Sequence, residues 1–243
     1  MTKILINTIV FQKEIHSGQS QYALLNQLTA KIAGFEVRGE LFKPETKHDE
    51  LVQLQQLAEQ RHWEFRYSIP ECLFIKSEIN PNLESHFKLA QQFGITALKI
   101  SLGELEHITA QQVSLLNQLI TTYQVQLNIE NEPNQNGILK HMAMICLELT
   151  NYNSLTGYTF DSGNWYWLTE APLTAWHQLA PYTTVLHLKN IQAQETVLLD
   201  NGLTPWRQLC ESLSPNIPII LEYPMSNSEL ESELTLVASA LEA

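Results

Sequence analysis

From one end to the other, the chain alternates short extended segments with amphipathic helical ones. About eight such units follow each other at roughly 30 residues apiece, over 243 residues. The first strand is read in "KILINTI" from Lys3, followed by a helical pattern in "SQYALLNQLTAKIAG" that stops at Gly34. "FEVRGE" pairs with "DELVQLQQLAEQR", and "WEFRYSI", closed by Pro70, with "NLESHFKLAQQFG", closed by Gly94. "TALKISLG" precedes "TAQQVSLLNQLITTY", which Thr109 caps, and "VQLNIE" precedes "GILKHMAMICLELTN". "GYTFDSG" leads to a short helix near "PLTAWHQLA", "TTVLHLKN" to "TPWRQLCESL" with Pro205 in its first turn, and "IPIILEYP" to the closing "SELESELTLVASALEA". No linker, low-complexity tract or shift in composition divides the chain. The pattern predicts an α/β protein, a (β/α)8 TIM barrel forming a single domain over 1–243. The alternative, a doubly wound open sheet, lacks its Gly-rich turn after the first strand.

A barrel explains the odd chemistry of the strands. In "VQLNIENEP", Val125, Leu127 and Ile129 alternate with Gln126, Asn128 and Glu130. A barrel strand has one face against helices and one toward the lumen, so the polar set points inward. The same parity places Glu36, Arg38, Glu40, Glu64, Arg66, Ser68, Lys99, Ser101, Thr159, Asp161, His187, Lys189 and Glu222 inside. The lumen is therefore expected to be polar and charged rather than filled with Val, Ile and Leu. Buried charges need partners. Arg38, Glu64, Arg66 and Lys99 are equally well read as structural neutralisers of neighbouring groups.

Glu130, Asp161, His187 and Glu222 end four successive strands, where barrel enzymes place their chemistry. Any one of them alone reads as an ordinary buried polar residue. Together, three carboxylates and an imidazole converging without a compensating cation would repel each other. One divalent metal ion resolves this, and the oxygen-rich set with one nitrogen suits Mn²⁺, Mg²⁺, Co²⁺ or Zn²⁺.

Composition restricts the partners. Lys and Arg number 14 against 26 Asp and Glu, a formal net charge of −12, which disfavours nucleic acid. Three scattered cysteines offer neither a metal spacing nor a disulfide framework. The apolar run in "MTKILINTIVFQKE" is too short for a signal peptide or a membrane span. The expectation is a cytoplasmic protein with no membrane contact, a homo-oligomer being left open.

The motifs resemble those of the xylose isomerase-like barrel superfamily, in its sugar phosphate isomerase/epimerase branch. "GFEVRGELF" is similar to the second-strand motif with its Glu, "LNIENE" to the Glu-Asn strand five, and "TFDSGN" to the Asp-containing strand six. "VLHLKN" resembles the His-x-Lys-Asp strand seven, "LDNGLTPWRQLCESL" the segment where a Gly precedes a Trp-led helix, and "IILEYP" the strand-eight Glu. The resemblance spans nearly the whole chain. It implies one metal held by Glu130, Asp161, His187 and Glu222, with Glu130 and Glu222 as catalytic residues that remove and return a substrate proton through an enediolate. It singles out Lys189 for substrate binding, although pairing with Glu36 or Glu130 accounts for it equally.

Three positions depart from the family pattern. Asn164 stands where a His is frequent, Asn190 replaces the strand-seven Asp, and Glu132 replaces a His after the Glu-Asn pair. They imply an altered substrate shell around a retained metal site. Arg66 and Lys99 offer, with Lys189, a cationic end for a phosphate or carboxylate. In "GNWYWL", Trp165 or a neighbouring aromatic could wall a ring. His16 and His107 read as solvated loop residues, and Cys72 has no paired base. Three functions compete: a metal-dependent isomerase or epimerase of a small sugar or its phosphate, a metal-dependent lyase such as a dehydratase of a polyhydroxy or cyclic keto acid, and a non-catalytic sugar-binding barrel. The substrate in each case is a small carbohydrate or keto acid. The endonuclease branch, which needs a His-rich multinuclear site and a basic groove, is disfavoured.

Overall fold

The computed structural model describes residues 2–242. Eight parallel strands close on themselves: β1 (Ile4–Asn7), β2 (Gly34–Arg38), β3 (Glu64–Ile75), β4 (Ala97–Gly103), β5 (Gln126–Glu130), β6 (Gly157–Asp161), β7 (Thr183–Leu188) and β8 (Ile219–Leu221). Each pairs with its sequence neighbours, and β1 pairs with both β2 and β8, completing the barrel. Eight helices follow the strands in turn, α1 (Gln21–Gln27), α2 (Lys47–Arg61), α3 (Leu83–Gln92), α4 (Ala110–Tyr123), α5 (Leu139–Asn151), α6 (Pro172–Leu179), α7 (Trp206–Glu211) and α8 (Asn227–Glu242), and a further five-residue helix, Gln12–His16, precedes α1. Among the described residues, no helix is long and apolar enough to cross a membrane.

The period-two alternation of the strands sorts their side chains as expected. Phe35, Val37, Phe65, Tyr67, Leu98, Ile100, Leu127, Ile129, Tyr158, Phe160, Leu186, Leu188, Ile219 and Leu221 are buried in the core between sheet and helices. The lumen is polar only in part. Leu5, Val185 and Ile220 form a separate buried cluster with Ala33 against it. They share the inward parity of Asn7, His187 and Glu222, two residues further along their strands. An apolar layer thus lies between two charged ends, the Lys3–Glu64–Arg66 ion pairs at the amino end and the larger charged cluster at the carboxyl ends of the strands.

Local signals explain several boundaries. Thr109 caps α4 in a full capping box with Gln112. Gly94, just past α3, takes φ +67°, the left-handed conformation that ends helices. Two expectations fail. Gly34 does not close a helix: α1 stops at Gln27, where the Arg61 guanidinium donates to the carbonyls of Leu28 (2.7 Å) and Asn26 (2.8 Å). Gly34 instead opens β2, where a Cβ would overlap the Glu64 carbonyl oxygen. Pro70 likewise does not end β3. The strand runs on to Ile75 through an irregularity between Ser68 and Cys72, which accommodates the missing N–H. Beyond it Phe74 and Ile75 pair with a two-residue strand, Glu78–Ile79.

A candidate metal centre at the carboxyl end of the barrel

Glu130 and Asp161 are the last residues of β5 and β6, His187 is the penultimate residue of β7, and Glu222 follows β8 directly. Strand register levels them: Asp161 lies opposite His187, and the Glu222 amide donates to the Leu188 carbonyl at 3.2 Å. All four side chains are buried, Asp161 and His187 completely. Their ligand atoms all lie within 4.8 Å of one another. His187 Nδ1 is 3.0 Å from Glu130 Oε1 and 3.2 Å from Glu222 Oε2. Its Nε2 turns the other way, to 3.4 Å from Glu36 Oε1, which itself accepts from Asn7 Nδ2 at 2.7 Å.

The residues beside the cluster hold it in place. Asp161 Oδ1 accepts the backbone amides of Gly163 and Asn164, both at 2.8 Å. Asn131 clamps the end of β6: its Oδ1 accepts from the Asp161 amide (2.8 Å) and the Tyr158 hydroxyl (2.9 Å), and its Nδ2 donates to the Asp161 carbonyl (3.1 Å).

The cluster has compensating cations, Lys99 and Arg38 among them as the neutralising reading expects, while Lys189 pairs with Asp161 and Glu222 rather than with Glu36 or Glu130. Lys99 Nζ donates to both oxygens of Glu130, at 3.0 and 2.9 Å, and lies 3.5 Å from Glu222 Oε1. Lys189 Nζ lies 2.8 Å from Asp161 Oδ2 and 3.4 Å from Glu222 Oε2. Arg38, at the rim, joins Glu222 Oε1 (3.0 Å) to the half-exposed Glu40 (2.6 Å). Four buried carboxylates, with Glu36, therefore face two deep ammonium groups and one shared guanidinium.

Protonation follows from this balance. Burial alone would raise Glu36, but His187 and Lys99 outweigh it and bring its pKa down to about 2. Burial opposes ionisation of Glu222 and Glu130 too; Lys99 leads the charges that hold both below the ordinary carboxylate value. His187 is held well above its ordinary value, Glu222 and Glu36 overcoming its burial. Asp161 goes the other way. Burial pushes it up to about 7, Lys189 opposing and Glu222 and Glu130 adding to the rise.

These residues fit a divalent cation. Asp161 Oδ2 and both ring nitrogens of His187 are fully buried and face only charged groups, with no well-directed hydrogen bond. Buried polar atoms without a well-directed hydrogen bond are rare in a folded interior. Two donors on opposite sides of an ion, each at about 2.0–2.6 Å, are about 4–5 Å apart, in keeping with the spread of this cluster. Glu36 stands behind His187 as a carboxylate stands behind a metal-bound imidazole, fixing its orientation.

Other expected site residues go elsewhere. Arg66 bends away to Glu64 (2.6 Å), which also takes Lys3 (3.1 Å), and makes no contact with the cluster. Trp165 is not a pocket wall. It is 0% exposed and tilted against Phe160, at 5.5 Å between ring centroids, whereas Trp167 is the exposed aromatic of that segment. Asn164 donates its Nδ2 to the Asn131 carbonyl at 2.8 Å. Asn190, fully buried, accepts the Thr204 and Ile191 amides and donates to the Leu199 carbonyl, closing the loop after β7. Glu132 accepts the Gly103 amide (2.7 Å) and Asn134 Nδ2 (2.6 Å). The three departures from the family pattern thus brace the loops. His16 is exposed, and His107 is tied to Glu148 at 2.6 Å. Cys72 is half-buried with its thiol raised by burial and by Glu132. The part played by Glu36, Asn7 and Asn131 escaped sequence reasoning, although the inward parity of Glu36 was visible.

The (β/α)8 architecture is shared with several solved structures. A xylose isomerase domain containing protein from Salmonella typhimurium LT2 superposes with a TM-score of 0.72 at 15% identity, covering 100% of this chain and 98% of that one. A D-psicose 3-epimerase from Clostridium cellulolyticum H10 gives 0.68 at 11% identity, covering 100% of both chains. The probable 3-DHS dehydratase AsbF from Bacillus anthracis gives 0.66 at 18% identity, covering 98% of this chain and 99% of that one. At these identities the likeness is one of fold. No protein-family profile matches the chain, and no curated protein matches it significantly.

Proposed function

We propose that this barrel is a divalent-metal-dependent isomerase or epimerase of a small sugar or sugar phosphate, working by proton transfer through an enediolate. The observation that carries this reading is the convergence of Glu130, Asp161, His187 and Glu222, with ligand atoms within 4.8 Å, at the carboxyl end of β5 to β8. These four would hold the ion. Bound there, a divalent cation would supply Lewis acidity toward a substrate carbonyl and its neighbouring hydroxyl, which would acidify the carbon-bound proton. Glu130 and Glu222 sit three strands apart around the barrel and approach the cluster from different sides. Both are held as carboxylates, so either can accept a carbon-bound proton and return it. Lys189, between Asp161 and Glu222, is the cation best placed to meet a substrate oxygen or phosphate.

A second reading, a metal-dependent lyase such as a dehydratase, is favoured by one asymmetry. Lys99 donates to both oxygens of Glu130, which otherwise meets only His187, whereas Glu222 is shared among Arg38, Lys99, Lys189 and His187. Two glutamates held so unequally suit a reaction with one base. The test is incubation with Mn²⁺ in D₂O of a panel of ketoses, their phosphates and keto acids. Deuterium entering one carbon of a recovered sugar supports isomerisation, and loss of water from a keto acid supports the lyase. Each Glu→Gln variant at saturating metal should lose exchange by roughly 10²–10⁴-fold if both glutamates move the proton. Bound Mn²⁺ with no exchange and no product on any of the panel would leave a non-catalytic sugar-binding barrel.

A further inference from the structure

Lys99 is unusual among the charges of the lumen. It enters from β4, next to β5, and its ammonium is almost completely buried. It reaches both oxygens of Glu130 at hydrogen-bond distance and lies 3.5 Å from Glu222 Oε1 and 4.0 Å from Glu36 Oε1. One ammonium therefore sits among three of the four buried carboxylates. Two of those three, Glu130 and Glu222, are donors in the candidate metal set. An ammonium and a divalent cation are attracted to the same oxygens and repelled by each other, more strongly in a low-dielectric interior than in water. Both cannot claim Glu130 in full. Lys99 also has a place to retreat: without Glu130 it remains beside Glu36, which lies outside the donor set.

We propose that Lys99 is an internal counter-ion that keeps Glu130 and Glu222 converged in the metal-free chain and yields Glu130 when a divalent cation enters. This rests on the reading of the cluster as a metal site. It makes Lys99 a positioning residue that sets metal affinity: the ammonium stabilises the metal-free state, so every binding event must displace it. A buried carboxylate left without a partner destabilises a fold strongly, which explains why the site assembles with its donors already gathered.

The test compares the full chain with Lys99→Met, and with Lys99→Met/Glu130→Gln, by thermal unfolding in EDTA and by calorimetric titration with Mn²⁺. Met retains the length of the stem and removes the charge. Lys99→Met should melt lower than the parent in EDTA and bind Mn²⁺ more tightly, by roughly 10–100-fold, the range by which outer partners alter metal affinity. The double variant, which removes the buried charge together with its counter-ion, should recover stability in EDTA relative to Lys99→Met. Parental or weaker Mn²⁺ affinity in Lys99→Met overturns this proposal alone. Failure of both variants to fold also overturns it, since Lys99 would then be needed for packing. Absence of Mn²⁺ binding by both the parent and Lys99→Met overturns the metal reading, and this proposal with it.

Discussion

Replacing Asp161 with Asn removes one anionic member of the proposed donor set while preserving volume, and the structure indicates how large the effects should be. Asp161 Oδ1 accepts two backbone amides, and an Asn oxygen can accept them equally well. Oδ2 faces Lys189 Nζ at 2.8 Å, but Lys189 retains Glu222 at 3.4 Å. The carboxylate itself is a burden in the metal-free fold, because burial lifts its pKa from 3.8 to about 7. At about 1.4 kcal/mol per pKa unit, that shift corresponds to on the order of 4 kcal/mol against the ionised form above neutral pH. A raised acid contributes stability below its unfolded value and loses it as pH rises through the folded one, so the loss runs from about pH 4 to about pH 7. Asp161→Asn is exempt from that loss and gives up one contact to Lys189. At pH 8 in EDTA it should therefore melt no lower than the parent. Metal reverses the order. At a free Mn²⁺ concentration about 100 times Kd, the parent gains about 2.7 kcal/mol, equal to roughly 5–11 °C for a domain of this size. The mutant, short of a charged ligand, should gain little at the same concentration. Scanning fluorimetry across pH 5–8, with and without Mn²⁺, checks all of this. A mutant stabilised by Mn²⁺ as strongly as the parent would refute the place of Asp161 in the donor set.

Glu36→Gln should weaken Mn²⁺ binding by roughly 10–100-fold in a titration, because the carboxylate 3.4 Å from His187 Nε2 orients the ring from behind; unchanged affinity would detach Glu36 from the site. Trp165→Ala should cost about 3–5 kcal/mol in chemical unfolding, as expected for a large aromatic lost from a core, with Mn²⁺ affinity preserved; a change in metal affinity without a loss of stability would return this residue to the pocket.

The barrel and the convergence of Glu130, Asp161, His187 and Glu222 were readable in the sequence because both rest on local periodicity. Alternation with period two assigns each strand residue to a face whatever the rest of the chain does, so "VQLNIE" already turns Glu130 inward, and the repeat of strand and helix already implies closure. The turn and cap residues Thr109 and Gly94 act within a few positions of themselves and read equally well. Gly34 and Pro70 misled because their roles depend on a neighbouring strand: the Glu64 carbonyl packed against Gly34, and the irregularity that carries β3 past Pro70. Trp165 was misplaced because whether an aromatic meets solvent or Phe160 is decided by packing rather than by position in a loop.

The charge balance of the site belongs to the tertiary structure. Arg38 and Glu222 are 184 residues apart in sequence, and His187 meets Glu36 only across the closed lumen. Inward parity says that Lys99, Lys189 and the carboxylates share one interior, but it cannot say which ammonium reaches which oxygen. That pairing is set by the heights of the strands in the closed barrel and by the reach of flexible side chains. Coulomb energy in a buried site varies with separations of an ångström or less, a scale that only three-dimensional closure defines.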